Sequence, residues 1–226
     1  MDPLVGKVFE GRYRITALIG EGRSSTVYAA DEIAANRKVA LRLLHFQTPV
    51  EPYVALRHDN IITTYAGGQT ADGLVFLARE LVRAPRLHHI LAQLGALSWQ
   101  RSLETVVQLC NALDAATSHG MPATLTPEKI YLEPFDVVRV DISPHMPGLT
   151  MRPYDERSDV YNIGVLAHEM LTGEIPPAIL AEKRPELPAE LEAIVIDCLR
   201  QRLANVSAVR DALLAVRAAI RPAAAT

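Results

Sequence analysis

The sequence predicts an α+β fold, with an antiparallel sheet first and helices after it. Three observations carry this. Residues 13–19, 25–30, 38–44, 61–66 and 74–81 are β-branched or alternate polar with apolar. Beyond Arg83 the period becomes helical, most clearly where Leu103, Val106, Val107, Cys110, Leu113 and Ala116 share one face. The 226 residues are 49% hydrophobic and 22% charged, enough to bury a sizeable core in one domain or two lobes. Strands that all precede the helices imply a segregated α+β arrangement rather than βαβ winding.

Taken in order, the five strands are separated by turn signals such as Ala34 to Arg37 and Ala71 to Gly73, which suggests a meander over residues 1–83. The helical part spans 84–220. Within it Val160, Ile163, Leu166, Ala167 and Met170 form a stripe over 157–172, and two further helices are expected at 189–202 and 207–219. Ser207 is read as the N-cap of the last. The tail 221–226 begins Arg221-Pro222, has nothing to pack, and is expected to fray.

A net charge of −3 gives no overall attraction to nucleic acid or to an anionic membrane. Cys110 and Cys198 lie inside apolar periodic segments, so both read as core residues rather than disulfide partners or metal ligands. His88 and His89 are adjacent, and His168-Glu169 lacks a second histidine four residues on, so no metal site is expected. Arg200, Arg202, Arg210, Arg217 and Arg221 read as a solvated helix face. The start is acidic at Asp2 without an apolar leader, and no run is long enough to span a bilayer, so the expected location is a reducing cytoplasm.

Residues 119–132 have a distinctive outline. Pro127, Glu128 and Ile130 fix the register of a segment that resembles the catalytic loop His-Arg-Asp-Leu-Lys-Pro-Glu-Asn-Ile of serine/threonine protein kinases. In that register Thr124 stands at the aspartate base, Thr126 at the lysine and Lys129 at the metal-binding asparagine. Other segments are similar to the same family, in the right order. Ile19 to Val27 resembles the glycine-rich loop, with Gly20 and Gly22 kept and Ser25 at the third glycine. Val39 to Arg42 resembles the strand that ends in the phosphate-holding lysine, so Arg42 either takes that place with a different geometry or is a solvated strand cation. Only 16 steps along the chain separate Arg42 from His58, which opens the His-Asp-Asn-Ile match, and Pro49 and Pro52 interrupt them. The αC helix is therefore expected to be reduced or absent.

Leu77 to Leu81 resembles the hinge, with Arg79 near the gatekeeper or snorkelling out of the strand end, and with Glu80 on the hinge itself. Val137 to Ser143 resembles the metal-binding Asp-Phe-Gly strand. Asp141 is the retained acid there, or else an acid capping a turn. Asp155 to Pro177 resembles the buried F helix, in which Asp159 anchors the catalytic loop. Just 18 steps lie between Asp141 and Asp159, too few for an activation segment. Tyr154 and Asn205 occupy the places of the family's Glu–Arg pair.

The chain is thus identified as a degenerate, pseudokinase-like member of the bacterial serine/threonine protein-kinase family. The resemblance implies a two-lobe kinase-like fold, a degenerate nucleotide-binding set (Gly20, Gly22, Val27, Ala40, Arg42, Glu80, Lys129 and Asp141) and no catalytic base. ATP and magnesium binding is expected to be weak or absent. The expected function is a non-enzymatic protein-binding or allosteric module. The alternatives are a weakly active kinase, with Glu128 or Asp141 as base, and a magnesium-independent nucleotide sensor using Arg42 and Lys129. With the substrate-side elements missing, an apolar face at Pro176, Pro177, Ile179 and Leu180 is expected to bind a partner protein or a second copy.

Overall fold

Alternation of buried and solvent-facing side chains begins at Tyr13 and organises the first part of the chain into a six-stranded sheet. The computed structural model describes residues 2–121, 123–144, 156–177 and 179–220. The strands are β1 (Val8–Phe9), β2 (Tyr13–Glu21), β3 (Ser25–Glu32), β4 (Arg37–Leu44), β5 (Thr64–Gln69) and β6 (Val75–Glu80), in spatial order β1-β2-β3-β4-β6-β5 with every pairing antiparallel. Two details differ from the five-stranded meander. β1 is a two-residue strand, too short to give a periodic signal, and β6 rather than β5 pairs with β4. Tyr13, Ile15, Tyr28, Ala30, Val39, Leu41, Leu43 and Ala78 form the core of one face, each at most 4% exposed. Between β4 and β5 stands only the five-residue α1 (Glu51–Ala55), with Pro52 in its first turn, which agrees with the expectation of a reduced αC helix.

Glu32 is buried at the edge of that core. It accepts from Arg12 Nε at 2.8 Å and from Arg37. Burial pushes its carboxyl up, but the bonds from Arg37 and Arg12 together outweigh burial and hold it below the ordinary range. Stability from a depressed carboxylate is present above the unfolded-state pKa and is lost as pH falls through the folded one. Glu32→Gln is therefore expected to flatten the loss of thermal midpoint below about pH 4.5. Parallel slopes for variant and wild type in acid melts would contradict this.

The second compact unit is helical, with α2 (Leu87–Leu94), α3 (Trp99–Ser118), α4 (Glu156–Thr172), α5 (Leu180–Lys183), α6 (Ala189–Leu199) and α7 (Val206–Ile220), and a hairpin of β7 (Ile130–Glu133) and β8 (Val137–Val140). Asp59–Ile61 belong with the helices, while Ile142, Ser143 and Pro144 belong with the sheet. Ser98 caps α3 by accepting from the Arg101 amide. The face predicted from Leu103 to Ala116 is the buried one, and α4 is buried on most sides, including Asp159 and His168. Gly164 lets α4 approach α6, since a Cβ there would lie 2.8 Å from the Cys198 Cβ and 2.9 Å from the Leu199 nitrogen. α6 ends at Leu199, short of 202. Asn205, not Ser207, caps α7, its Oδ1 accepting from the Ala208 amide, while Ser207 donates to Asp114 at 2.8 Å. Both cysteines are buried free thiols. The tail 221–226 and the segment holding Tyr154 lie outside the described residues.

Among the described residues no helix is long and apolar enough to cross a membrane, and no group of three or more His, Cys, Asp or Glu could hold a metal ion.

Candidate functional site

In the helical unit the chain after α3 passes Met121, Ala123 and Leu125, all buried, and leaves Thr124 exposed between them. A single helical turn at Pro127–Lys129 follows, and Ile130 then enters the core as the first residue of β7. Lys129 Nζ turns back and donates to the Thr124 carbonyl at 3.0 Å. The Asp141 amide donates to the Lys129 carbonyl at 2.8 Å. Three of the sequence-predicted positions, Thr124, Lys129 and Asp141, are thereby tied together. The position expected to carry a base holds a neutral hydroxyl, which is not a proton acceptor at neutral pH.

Two carboxylates border this loop. Glu128 accepts a hydrogen bond from Thr126, which lowers its pKa, and the charges of His88 and Arg86 add to the effect. Glu169 on α4 is pushed the other way, first by burial and then by the charge of Glu128. A depressed pKa leaves Glu128 ionised but makes it a poor base. Asp159, in the first turn of α4, is 4% exposed. Its expected anchoring contacts fall on residues 121–123, of which Pro122 lies outside the described residues.

In the sheet unit the resemblance to a glycine-rich loop takes the form of a strand-paired hairpin. Gly20 pairs with Val27 and Glu21 with Thr26, and the Gly22 amide donates to the Ser25 carbonyl at 3.0 Å. A Cβ on Gly20 or Gly22 would meet nothing closer than 3.8 Å, and neither residue needs a positive φ, so the hairpin itself does not require glycine at either place. Ser25, at the third glycine, is buried and accepts from Arg42 Nε at 2.9 Å. Arg42 pairs across the sheet with Val27, and Ala40 with Ala29 on one side and Arg79 on the other. Arg42 is therefore a half-buried cation held to β3, not a solvated one.

Arg79 does not snorkel. It is 4% exposed, and its guanidinium donates to the carbonyls of Ile142 at 3.0 Å and Ile62 at 3.4 Å. Backbone acceptors make that burial tolerable. The Glu80 carboxylate folds back to accept from the Thr63 amide at 3.3 Å, while its own amide donates to the Thr63 carbonyl.

The expected apolar face is rearranged. Leu180 is 4% exposed because α5 packs it inward against α4, so it is no part of a docking surface. Ile179 and Pro177 are exposed and Pro176 half-buried, and the large exposed side chains of this region also include Ile175 and Leu94. The two stretches are neighbours, since a Cβ on Gly173 would lie 2.5 Å from the Gly95 carbonyl oxygen. Leu94 was not singled out in the sequence; it continues the Leu87, Ile90 and Leu91 stripe of α2 and yet is exposed.

Sequence reasoning also missed Asn60 and Gln108. Asn60 Nδ2 donates to Gln108 Oε1 at 2.9 Å and to the Val138 carbonyl at 3.0 Å. The His-Asp-Asn-Ile match contained the signal for Asn60. Gln108, on the polar side of α3, offered none.

No protein-family profile matches the chain. Individual proteins do. The chain is 29% identical to serine/threonine-protein kinase pkn3 of Myxococcus xanthus over 77% of its own length and 40% of the relative's. It is 26% identical to serine/threonine-protein kinase PknA of Mycobacterium tuberculosis over 98% of its length and 65% of the relative's. A probable serine/threonine-protein kinase PknB of Lactococcus lactis matches at 25% over 89% of the chain and 40% of the relative. The chain thus spans between about two fifths and two thirds of the length of these relatives. Together with the sheet and helical units, they support a kinase-like protein. They also correct the expectation of a non-enzyme, because each relative is named a kinase, which points to an enzyme.

Proposed function

We propose that this chain is a kinase-related signalling protein that transfers phosphate slowly and acts chiefly by engaging a protein partner. The observation that carries the reading is the exposed Thr124 at the base position, with Lys129 bonded to its carbonyl. A positioned base contributes about 10²–10⁴-fold to such reactions. Losing it slows transfer without abolishing what positioning and electrostatics supply. Glu128 is too weakly basic to substitute fully, which leaves Asp141 as the acid on which residual activity depends.

Weak binding of Mg·ATP belongs to the same reading, since Lys129 puts a cation where the resemblance to the kinase catalytic loop implies a second metal ligand. A soluble cytoplasmic protein, with a protein rather than nucleic acid or membrane as its partner, fits the charge of −3. Candidate contacts are Ile175, Pro176, Pro177 and Ile179.

The test is radiolabel transfer from ATP to the chain itself and to a generic acceptor protein, with magnesium. The expected rate is about a hundredfold or more below the 1–100 s⁻¹ ordinary for kinases, and lower still in Asp141→Ala. A rate inside that ordinary range, or residual transfer indifferent to Asp141, would sink the reading.

A further inference from the structure

Phe135 is 99% exposed at the tip of the β7–β8 hairpin, with φ +62, and Asp136 beside it has φ +57. Left-handed backbone is rare for a bulky side chain, and an aromatic residue gains nothing locally from full exposure. The tip is nevertheless held firmly. Arg101 Nε donates to Asp136 Oδ1 at 2.7 Å, and Gln108 Nε2 donates to the Asp136 carbonyl at 2.9 Å. Gln108 Oε1 accepts from the Val138 amide and from Asn60, which also holds the Val138 carbonyl. Four polar side chains thus fix a turn whose visible product is an aromatic ring held in water, with Pro134 and the partly exposed Val137 beside it. The Arg101–Asp136 pair is internally neutral, so Glu133, which makes no ion pair among the described residues, sets the sign of the tip.

The sheet unit offers a matching hollow. A concavity of about 430 Å³ is lined by Arg14, Asp31, Glu32, Ile33, Asn36, Arg37 and Lys38. Glu32 and Asp31 are neutralised by Arg37 and Lys38, and Arg14 makes no ion pair among the described residues, so the hollow is net basic. Ile33, half exposed, supplies an apolar wall. The volume accommodates a phenyl ring, an exposed guanidinium can stack on its face, and the free cation complements Glu133.

We infer that the chain self-associates head to tail, Phe135 of one copy entering the Arg14–Ile33–Arg37 hollow of a second copy. A rigid anchor carries little entropic cost on docking, and the small contact makes the association weak, with a dissociation constant of about 0.1–1 mM. An anionic membrane surface is disfavoured as the occupant by Glu133 and by the pairing of Arg101. The inference rests on the partner-binding half of the proposed function and is independent of the transfer rate.

The test is a concentration series of amide NMR spectra of the purified chain from about 0.02 to 1 mM. Signals of Glu133, Phe135 and Val137 are expected to shift together with those of Arg14, Ile33 and Arg37. In Phe135→Asp and in Arg14→Glu both sets should stay still, at an unchanged thermal midpoint. An equimolar mixture of the two variants should regain the shifts, since each keeps the surface the other lacks. No concentration dependence up to 1 mM overturns the inference, as does a response confined to other residues. Movement of the tip signals only on adding phosphatidylglycerol vesicles also overturns it, in favour of a membrane. A negative result here leaves the radiolabel assay untouched, so the two failures are distinguishable.

Discussion

A Thr124→Asp, Lys129→Asn double variant is expected to transfer phosphate at least about a hundredfold faster than the wild-type chain, since a positioned base is worth about 10²–10⁴-fold. Thr124 is exposed between buried Ala123 and Leu125, so a carboxylate there stays solvated and carries no burial penalty. Thr124→Asp alone should gain less. Lys129, already 3.0 Å from the Thr124 carbonyl, would lie beside the new carboxylate and weaken it as a base. Asparagine at 129 removes that cation and offers an amide oxygen to magnesium next to Asp141. The measurement is initial-rate radiolabel transfer for wild type, both single variants and the double variant, with thermal midpoints to show equal folding. A folded double variant no faster than wild type would show that the base is not the missing part.

β2, β3, β4 and β6 were legible because one face of the sheet is wet, which leaves a period of two in the sequence, whereas β5 runs over Thr64–Gln69 rather than 61–66 and shows no such alternation. α3 and α4 were legible for the corresponding reason at period 3.6. What stayed hidden was non-local. β6 rather than β5 sits next to β4, buried at four of its six positions against one of six for β5, and that order is decided by long-range packing. Ser207 and Asn205 are both good caps, and the choice fell to Asn205 because Asp114, 93 residues earlier in the chain, takes the serine hydroxyl. Leu180 looked exposed because its covering helix was thought lost, whereas a single turn, α5, suffices to bury it.

The site followed the same division. The substitution at Thr124 is a one-letter fact, readable in the register set by Pro127, Glu128 and Ile130. Burial of Arg79 is not, since an arginine at a strand end more often reaches water, and carbonyls from Ile62 and Ile142, both distant in sequence, help make the inward position acceptable.

The largest expected effect on stability comes from Gly164→Val, which should cost about 3 kcal/mol or more. A Cβ at 164 would sit 2.8 Å from the Cys198 Cβ, 2.9 Å from the Leu199 nitrogen and 3.2 Å from the Cys198 carbonyl carbon. Two of those three atoms are backbone of α6, so a rotamer change cannot relieve the clash, and the helices must separate. Separation would open the packing among Ile163, Leu191, Val195 and Cys198, all buried. Against a typical total of roughly 5–15 kcal/mol the loss is a large fraction. It corresponds to a fall in thermal midpoint of about 6–12 °C for a domain of this size. Gly164→Ala should fall between wild type and Gly164→Val, since it adds the Cβ without the branching. Tyr161→Ala, on the exposed side of the same helix, should leave the midpoint nearly unchanged. α4 also carries buried Asp159, so residual phosphotransfer should fall in Gly164→Val at temperatures where the fold still persists. Equal midpoints for Gly164→Val and Tyr161→Ala would mean that α4 and α6 do not approach this closely, and the account of the helical core would fail with them.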